Sequence, residues 1–268
     1  EHTLLNALAW HFRDKLDIND PNIGLVHRID KDTSGLLLIA KTPEAKTHLG
    51  KQFFDHTTER TYNALVWGTF TEDNGTIEGA LARDNRDRTI YRVWDLEENP
   101  NAKEAITHWR VLERFPYVTL VECRLETGRT HQIRVHLSAH GFPVLCDPLY
   151  GRGATKLGTV KNSDLLDFLK SHDGQMLHAS VLEFSHPVTG EKMRFKSHLP
   201  DDMMEHVERF FFFTGPGKVN GARTAVVSLG DSLAFTFSNC YEESDIEREF
   251  FTRLVRMGVH VKIESNRD

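Results

Sequence analysis

Val26-His27-Arg28-Ile29-Asp30-Lys31-Asp32-Thr33-Ser34-Gly35 runs directly into the apolar stretch Leu36-Leu37-Leu38-Ile39-Ala40. Turn-forming residues separate an acid from what reads as a buried strand, so Asp30 stands at the mouth of that strand. This position suits a catalytic carboxylate. Taken alone, the same residue serves equally as a turn cap near Thr33 and Ser34. An Asp acting as nucleophile or base at neutral pH must be ionised, and burial opposes ionisation unless a cation stands beside it. The chemistry therefore calls for a nearby arginine. Arg134 is the best candidate, because it lies on the polar side of a segment that is otherwise half buried, where an arginine is costly unless paired.

The 268 residues allow one large domain or two small ones, and 39% hydrophobic with 27% charged content is ordinary for a globular protein. No apolar run approaches the roughly 20 residues of a membrane-spanning helix. Cys123, Cys146 and Cys240 are widely spaced and form no CxxC pair. Neither a disulfide framework nor a zinc site is indicated, and a cytoplasmic setting is the simplest expectation. The net charge of −6 weighs against a nucleic-acid partner, but residues 201–268 hold 12 acids against 8 Lys/Arg. The first 200 residues are thus nearly neutral, and a local basic patch can still steer RNA.

Apolar spacing predicts a helix over residues 2–15 and a buried strand over 36–40. Thr42-Pro43 then reads as the cap and first turn of another helix. Strands are predicted at 60–69, 104–113, 117–126, 177–184 and 193–195, with a polar loop or irregular hairpin over 81–101. In Thr127-Gly128-Arg129-Thr130-His131-Gln132-Ile133-Arg134-Val135-His136-Leu137 the pattern allows either a strand or the start of a helix. Residues 151–163 read as a loop, 164–171 as a short helix, 224–238 as strand, 242–257 as helix and 259–263 as strand. Tyr62 shares a strand face with Arg60 and Ala64. It is either a core aromatic or a platform for a stacked base.

Several motifs occur together in one order. His27-Arg28-Ile29-Asp30 precedes Thr33, Ser34 and Gly35; Tyr62, Ala64, Val66 and Gly68 alternate; and Lys103, Ala105 and Thr107 follow. Residues 127–136 come next, followed by Asp147-Pro148-Leu149-Tyr150-Gly151, Leu177-His178-Ala179 and His186-Pro187 with Thr189-Gly190. This series resembles the RluA-type pseudouridine synthases, with Ile29 in place of the usual Leu. The resemblance implies an α+β fold with a mixed, largely antiparallel β-sheet flanked by helices and loops. It implies isomerisation of uridine to pseudouridine in structured RNA, ribosomal RNA more than transfer RNA, without cofactor or metal. Asp30 would be the essential carboxylate, Tyr62 would pack on the target base and Arg134 would pair with Asp30. Arg28 would fill the space left by the flipped uridine, Ile29 would wall the pocket, and His27, Arg129 and Gln132 would contact substrate. The alternative is a catalytically inactive RNA-binding or ribosome-assembly module on the same fold.

A catalytic domain is expected over 1–213 and a docked extension over 214–268, in a monomer. No counterpart of the family's Lys-Pro-x-Gly segment or S4-like RNA-binding domain stands ahead of this region. Other readings are weaker. His131 and His136 do not make a metal site by spacing. His27-Arg28-x-Asp30 lacks the glycine-rich loop and Asp-Phe-Gly that a kinase would add.

Overall fold

The computed structural model describes residues 3–14, 20, 22–115, 117–151, 166–167, 169–170, 172–200 and 203, with the backbone of 222–229 and 232–239. The chain divides into two units, Glu1–Val207 and Glu208–Asp268. The boundary expected at 213/214 falls outside the described residues, as do the predicted elements at 242–257 and 259–263. The predicted loop is described only at Gly151, and the predicted helix over 164–171 only at 166, 167, 169 and 170, which are helical.

In the first unit, helix α1 (Leu4–His11) opens on a capping box, Thr3 accepting from the Asn6 backbone while the Asn6 side chain accepts from the Thr3 N–H. Strand β1 is the two-residue Ser34–Gly35. Helix α2 (Pro43–Phe54) begins as the sequence predicts, with Thr42 Oγ1 accepting from Ala45 N and Pro43 in the first turn. Then come β2 (Glu59–Trp67), β3 (Asn74–Arg83), β4 (Tyr91–Trp94), β5 (Lys103–Arg114), β6 (Val118–Leu125), α3 (Gln132–Ala139), β7 (Leu177–Ser185) and β8 (Lys192–Lys196). The strands form one sheet in the order β1-β7-β2-β6-β5-β3-β4, with β8 on β7. Every pairing is antiparallel except β1 with β7. This is the expected mixed, largely antiparallel α+β architecture. The polar stretch after Leu81 is an irregular hairpin, β4 pairing with the end of β3.

Two expectations are corrected. Leu36–Ala40 is not a regular buried strand, since beyond β1 its ladder contacts reduce to the single bridge Leu25↔Ile39. Leu38 N instead donates to His27 Nε2 at 2.8 Å, so a side chain replaces a strand partner. The run is apolar because both of its sides pack: Leu36, Leu38 and Ala40 against Leu49 and Leu182, and Ile39 against Leu8, Phe12 and Ile23. In the second unit, the single strand expected over 224–238 is two, β9 (Ala222–Leu229) and β10 (Ser232–Asn239), paired antiparallel as a hairpin.

One face of the sheet positions the site. Tyr62, Ala64 and Val66 of β2, Val121 and Cys123 of β6, and Leu177 and Ala179 of β7 pack with Ile133 and Leu137 of α3. Leu137 is fully buried, and a buried leucine contributes roughly 1.5–3 kcal/mol. The β2–β7 register shifts between Thr61 and Tyr62, which face Val181 and Ala179. Ser180 is the extra residue of this bulge, and its hydroxyl donates to Thr61 O at 3.2 Å. Bulges of this kind bend a strand and re-aim the next side chain, here Tyr62.

Candidate active site

Asp30 sits in a tight turn in which Thr33 N donates to Asp30 O at 3.1 Å and Asp32 adopts φ 66°. Three attachments hold this loop to the sheet. Ser34 and Gly35 pair with His178 and Ala179 of β7. The Ser34 hydroxyl is 2.8 Å from His178 Nδ1. Gln175 Nε2 donates to Lys31 O at 2.6 Å and to Thr33 Oγ1 at 2.9 Å. Gly35 has φ 108°, and a Cβ there would lie 2.3 Å from Ala179 O, so the close approach of loop and strand requires glycine.

Arg134 reaches Asp30 from the first turn of α3. Its Nη1 donates to Asp30 Oδ2 at 3.1 Å, while Nε and Nη2 donate to both oxygens of Asp147 at 2.7 and 2.9 Å. The Arg134 and Asp147 side chains are 4% and 0% exposed, and Asp30 is 16% exposed. One guanidinium therefore bridges a fully buried acid and a partly exposed one. Burial weakens the guanidinium's hold on its proton, but the hydrogen bonds and charges of Asp147 and then Asp30 more than offset it. Asp30 Oδ1 has no hydrogen bond among the described residues and is free to act as nucleophile or base.

Asp147 is the residue that sequence reasoning missed. Besides Arg134, it accepts from Leu149 N at 2.9 Å and Tyr150 N at 3.0 Å. The Tyr150 hydroxyl accepts from Tyr91 N and contacts His131 Nδ1, both at 2.8 Å, and its ring lies 5.1 Å from Arg134 Cζ. A signal was present: a guanidinium has five donors, and one carboxylate could not satisfy it in a buried site.

Tyr62 is 9% exposed and packs in the cluster that Ile29 closes from the Asp30 loop. Burial pushes its phenol up to about 12, with Arg60 opposing and Asp30 adding to the shift. Arg28 is exposed and makes no ion pair among the described residues. Arg129 is partly exposed, its Nε donating to Glu104 O at 3.1 Å.

Two of the residues expected to contact substrate, Gln132 and His27, make their contacts within the protein. Gln132, 3% exposed, accepts from Arg129 N at 3.0 Å and Thr127 Oγ1 at 2.8 Å, and donates to Ile106 O and Thr107 Oγ1, each at 3.0 Å. It braces the start of α3, whose N-cap His131 is left-handed and offers no side-chain cap. His27 accepts from Leu38 N and stacks on Phe53 with centroids 4.4 Å apart. Among the described residues, no three His, Cys, Asp or Glu side chains gather as metal ligands.

Two enclosed imidazoles, the fully buried His136 and the partly buried His27, make stability depend on pH. Burial, with Arg60 adding, depresses His27 from 6.5 to about 4, and burial, with His140 adding, depresses His136 to about 4. Between pH 6.5 and 4 the unfolded chain therefore binds protons that the folded chain refuses. Stability is complete above about 6.5 and is lost as pH falls through this window, by up to roughly 3 kcal/mol per ring. The melting temperature should fall steadily from pH 7 to 4.5, and His27→Gln should flatten part of the slope. A flat profile for the wild-type chain would show that these rings are not held neutral.

The sequence over residues 8–139 matches the family described as RNA pseudouridylate synthase. The chain is 47% identical over 207 residues to an uncharacterized RNA pseudouridine synthase, YlyB, of Bacillus subtilis, covering 77% of this chain and 62% of that protein. It is 42% identical over 205 residues to ribosomal large subunit pseudouridine synthase D of Vibrio cholerae, covering 76% of this chain and 60% of that protein. It therefore spans about three fifths of the length of these curated relatives. Among solved structures, human RNA pseudouridylate synthase domain containing 1 superposes with a TM-score of 0.59 at 24% identity, over 78% of this chain and 84% of that one. At that identity the superposition supports the fold alone.

Proposed function

We propose, from the premise that this chain belongs to the RNA pseudouridylate synthase family, that it converts specific uridines of ribosomal RNA to pseudouridine. The observation that carries this reading is Asp30, partly exposed and held by Arg134, with Oδ1 unbonded among the described residues and with Tyr62 and Ile29 packed together in the adjoining core cluster. A uridine inside a folded stem must leave its stack to reach such a carboxylate. Arg28, exposed two residues before Asp30, would fill the gap. Asp30 would attack ribose C1′ or remove a ribose proton, so that the N1–C1′ bond breaks. The freed uracil would turn and bond through C5 to C1′, as C1′ releases Asp30 or the ribose regains its proton, and the uracil would lose the C5 proton and gain one at N1. Ribosomal RNA is the preferred substrate because relatives such as the Vibrio protein are named for the large ribosomal subunit.

The test is to incubate the protein with total RNA from a strain lacking it and map new pseudouridines by carbodiimide-stop sequencing. A discrete new stop supports the reading and names the uridine. RNA binding without any stop would instead favour a binding module.

Tyr62 offers a narrower prediction. A phenol held near 12 keeps its proton at neutral pH and can relay one without ionising in the resting enzyme. Tyr62→Phe keeps the ring and its packing. RNA affinity should stay near wild type while single-turnover product formation falls about 10²–10⁴-fold, the usual worth of a positioned proton-transfer group. A wild-type rate would leave Tyr62 as packing only.

A further inference from the structure

Arg60 is buried like Arg134 but lacks what makes Arg134 tolerable. It is 8% exposed, and its Nε is buried with no hydrogen-bond partner. Nη2 reaches only a backbone carbonyl, Glu126 O, at 3.4 Å, and no carboxylate lies within ion-pair distance among the described residues. Its neighbours offer no counter-charge: the Phe53 ring 5.9 Å from Cζ, the Tyr62 phenol that keeps its proton, Arg129 with a like charge, and His56, whose imidazole burial and the two arginines hold toward its neutral form. A buried cation without a counter-charge is costly, and natural sites keep one where an anion arrives from outside.

The guanidinium lies just beneath the surface at Gly128. This glycine is exposed, and its φ lies outside the left-handed region, so the backbone does not demand it. A Cβ there would come within 2.3 Å of Arg60 Nη1. The guanidinium thus packs directly against this exposed glycine and takes up the space where a side chain would begin. The subsite adjoins the candidate active site: Arg60 precedes Tyr62 by two residues on β2, and Arg129 opens the loop into α3.

We propose that Arg60, with Arg129 and His56, forms a phosphate-binding subsite that receives one phosphodiester of the RNA strand carrying the target uridine. The choice of RNA rests on the function proposed above; the anion site does not.

Arg60→Met tests it, because methionine fills similar apolar volume without the charge. The RNA-free variant should melt at or above the wild-type temperature, since an uncompensated charge is gone. Its RNA dissociation constant near 0.1 M salt should rise about tenfold or more. The slope of log affinity against log salt should shrink by roughly 0.7–0.9, the loss of one phosphate contact. Inorganic pyrophosphate, compared with chloride at equal ionic strength, should raise the melting temperature of wild type but not of Arg60→Met. Gly128→Ala, which keeps every charge but pushes the guanidinium from its seat, should lose the same protection. If wild type modifies no RNA yet pyrophosphate protection requires Arg60, the subsite stands and the RNA reading fails. A lower melting temperature for Arg60→Met with pyrophosphate protection intact would make Arg60 structural and overturn the proposal. So would an unchanged salt slope, or a shifted pH–rate profile at unchanged affinity, which would assign Arg60 to tuning Tyr62.

Discussion

Asp30→Asn should reduce pseudouridine formation to background, a loss on the order of 10⁴-fold or more, as expected when the group that makes or breaks the bond is removed. The substitution is nearly isosteric. The amide oxygen can still accept from Arg134 Nη1, and Arg134 keeps both bonds to Asp147. The Asp30 turn is fixed by backbone and neighbouring side chains, through Thr33 N, Gln175 and the β1–β7 pairing, none of which uses the carboxylate. Fold and RNA affinity should therefore change little, with a melting shift of a few degrees at most. Tritium release from RNA carrying 5-tritiated uridine reports turnover, because C5 must lose its hydrogen when it bonds to C1′. A filter-binding isotherm on the same RNA reports affinity. Release near the wild-type rate would remove Asp30 from the chemistry, whereas joint loss of release and binding would mean that the loop had collapsed.

The ease of reading this site from sequence followed from how locally each part is encoded. Thr42-Pro43 marks the start of α2 because a cap and a first-turn proline act within four residues. The central strands β2, β6 and β7 read as apolar runs more than as alternation, because one face packs α3 while the other also buries Leu65, Trp67, Val118 and Leu120 beside the more exposed Asn63, Arg110 and Arg124. Helix α3 was ambiguous for a physical reason: six successive residues, Gln132 to Leu137, are buried. A helix buried on all sides shows no apolar stripe. Leu36–Ala40 misled in the opposite sense, because an irregular segment packed on two sides has the composition of a strand. Arg134 could be foreseen as the partner of Asp30 because one ion pair was demanded by the chemistry. Asp147 could be found only by counting donors. The inward turn of His27 and Gln132 depends on contacts with Phe53 and β5, far along the chain or across the sheet.

Replacing Arg134 should show whether the bridge positions the reaction or only holds the fold. Arg134→Lys keeps one positive charge but loses the planar fork. A single ammonium cannot donate along Nε and Nη2 to both oxygens of Asp147 and also reach Asp30, as the guanidinium does at 2.7, 2.9 and 3.1 Å. Asp147, buried at 0% side-chain exposure, would retain the ammonium, since leaving it unpaired costs more than releasing the partly exposed Asp30. The lysine variant should therefore lose less stability than the roughly 3–5 kcal/mol expected for Arg134→Ala, where a buried carboxylate is stranded. Its turnover should nevertheless fall by about 100-fold or more, because Asp30 loses the contact that aims it. Combined with Asp30→Asn, the lysine substitution should cost no further rate, since the two residues act as one unit. Thermal melts and single-turnover rates on the single and double variants decide it. A lysine variant with near wild-type rate and a lowered melting point would confine Arg134 to structure, and additive rate losses would separate it from Asp30.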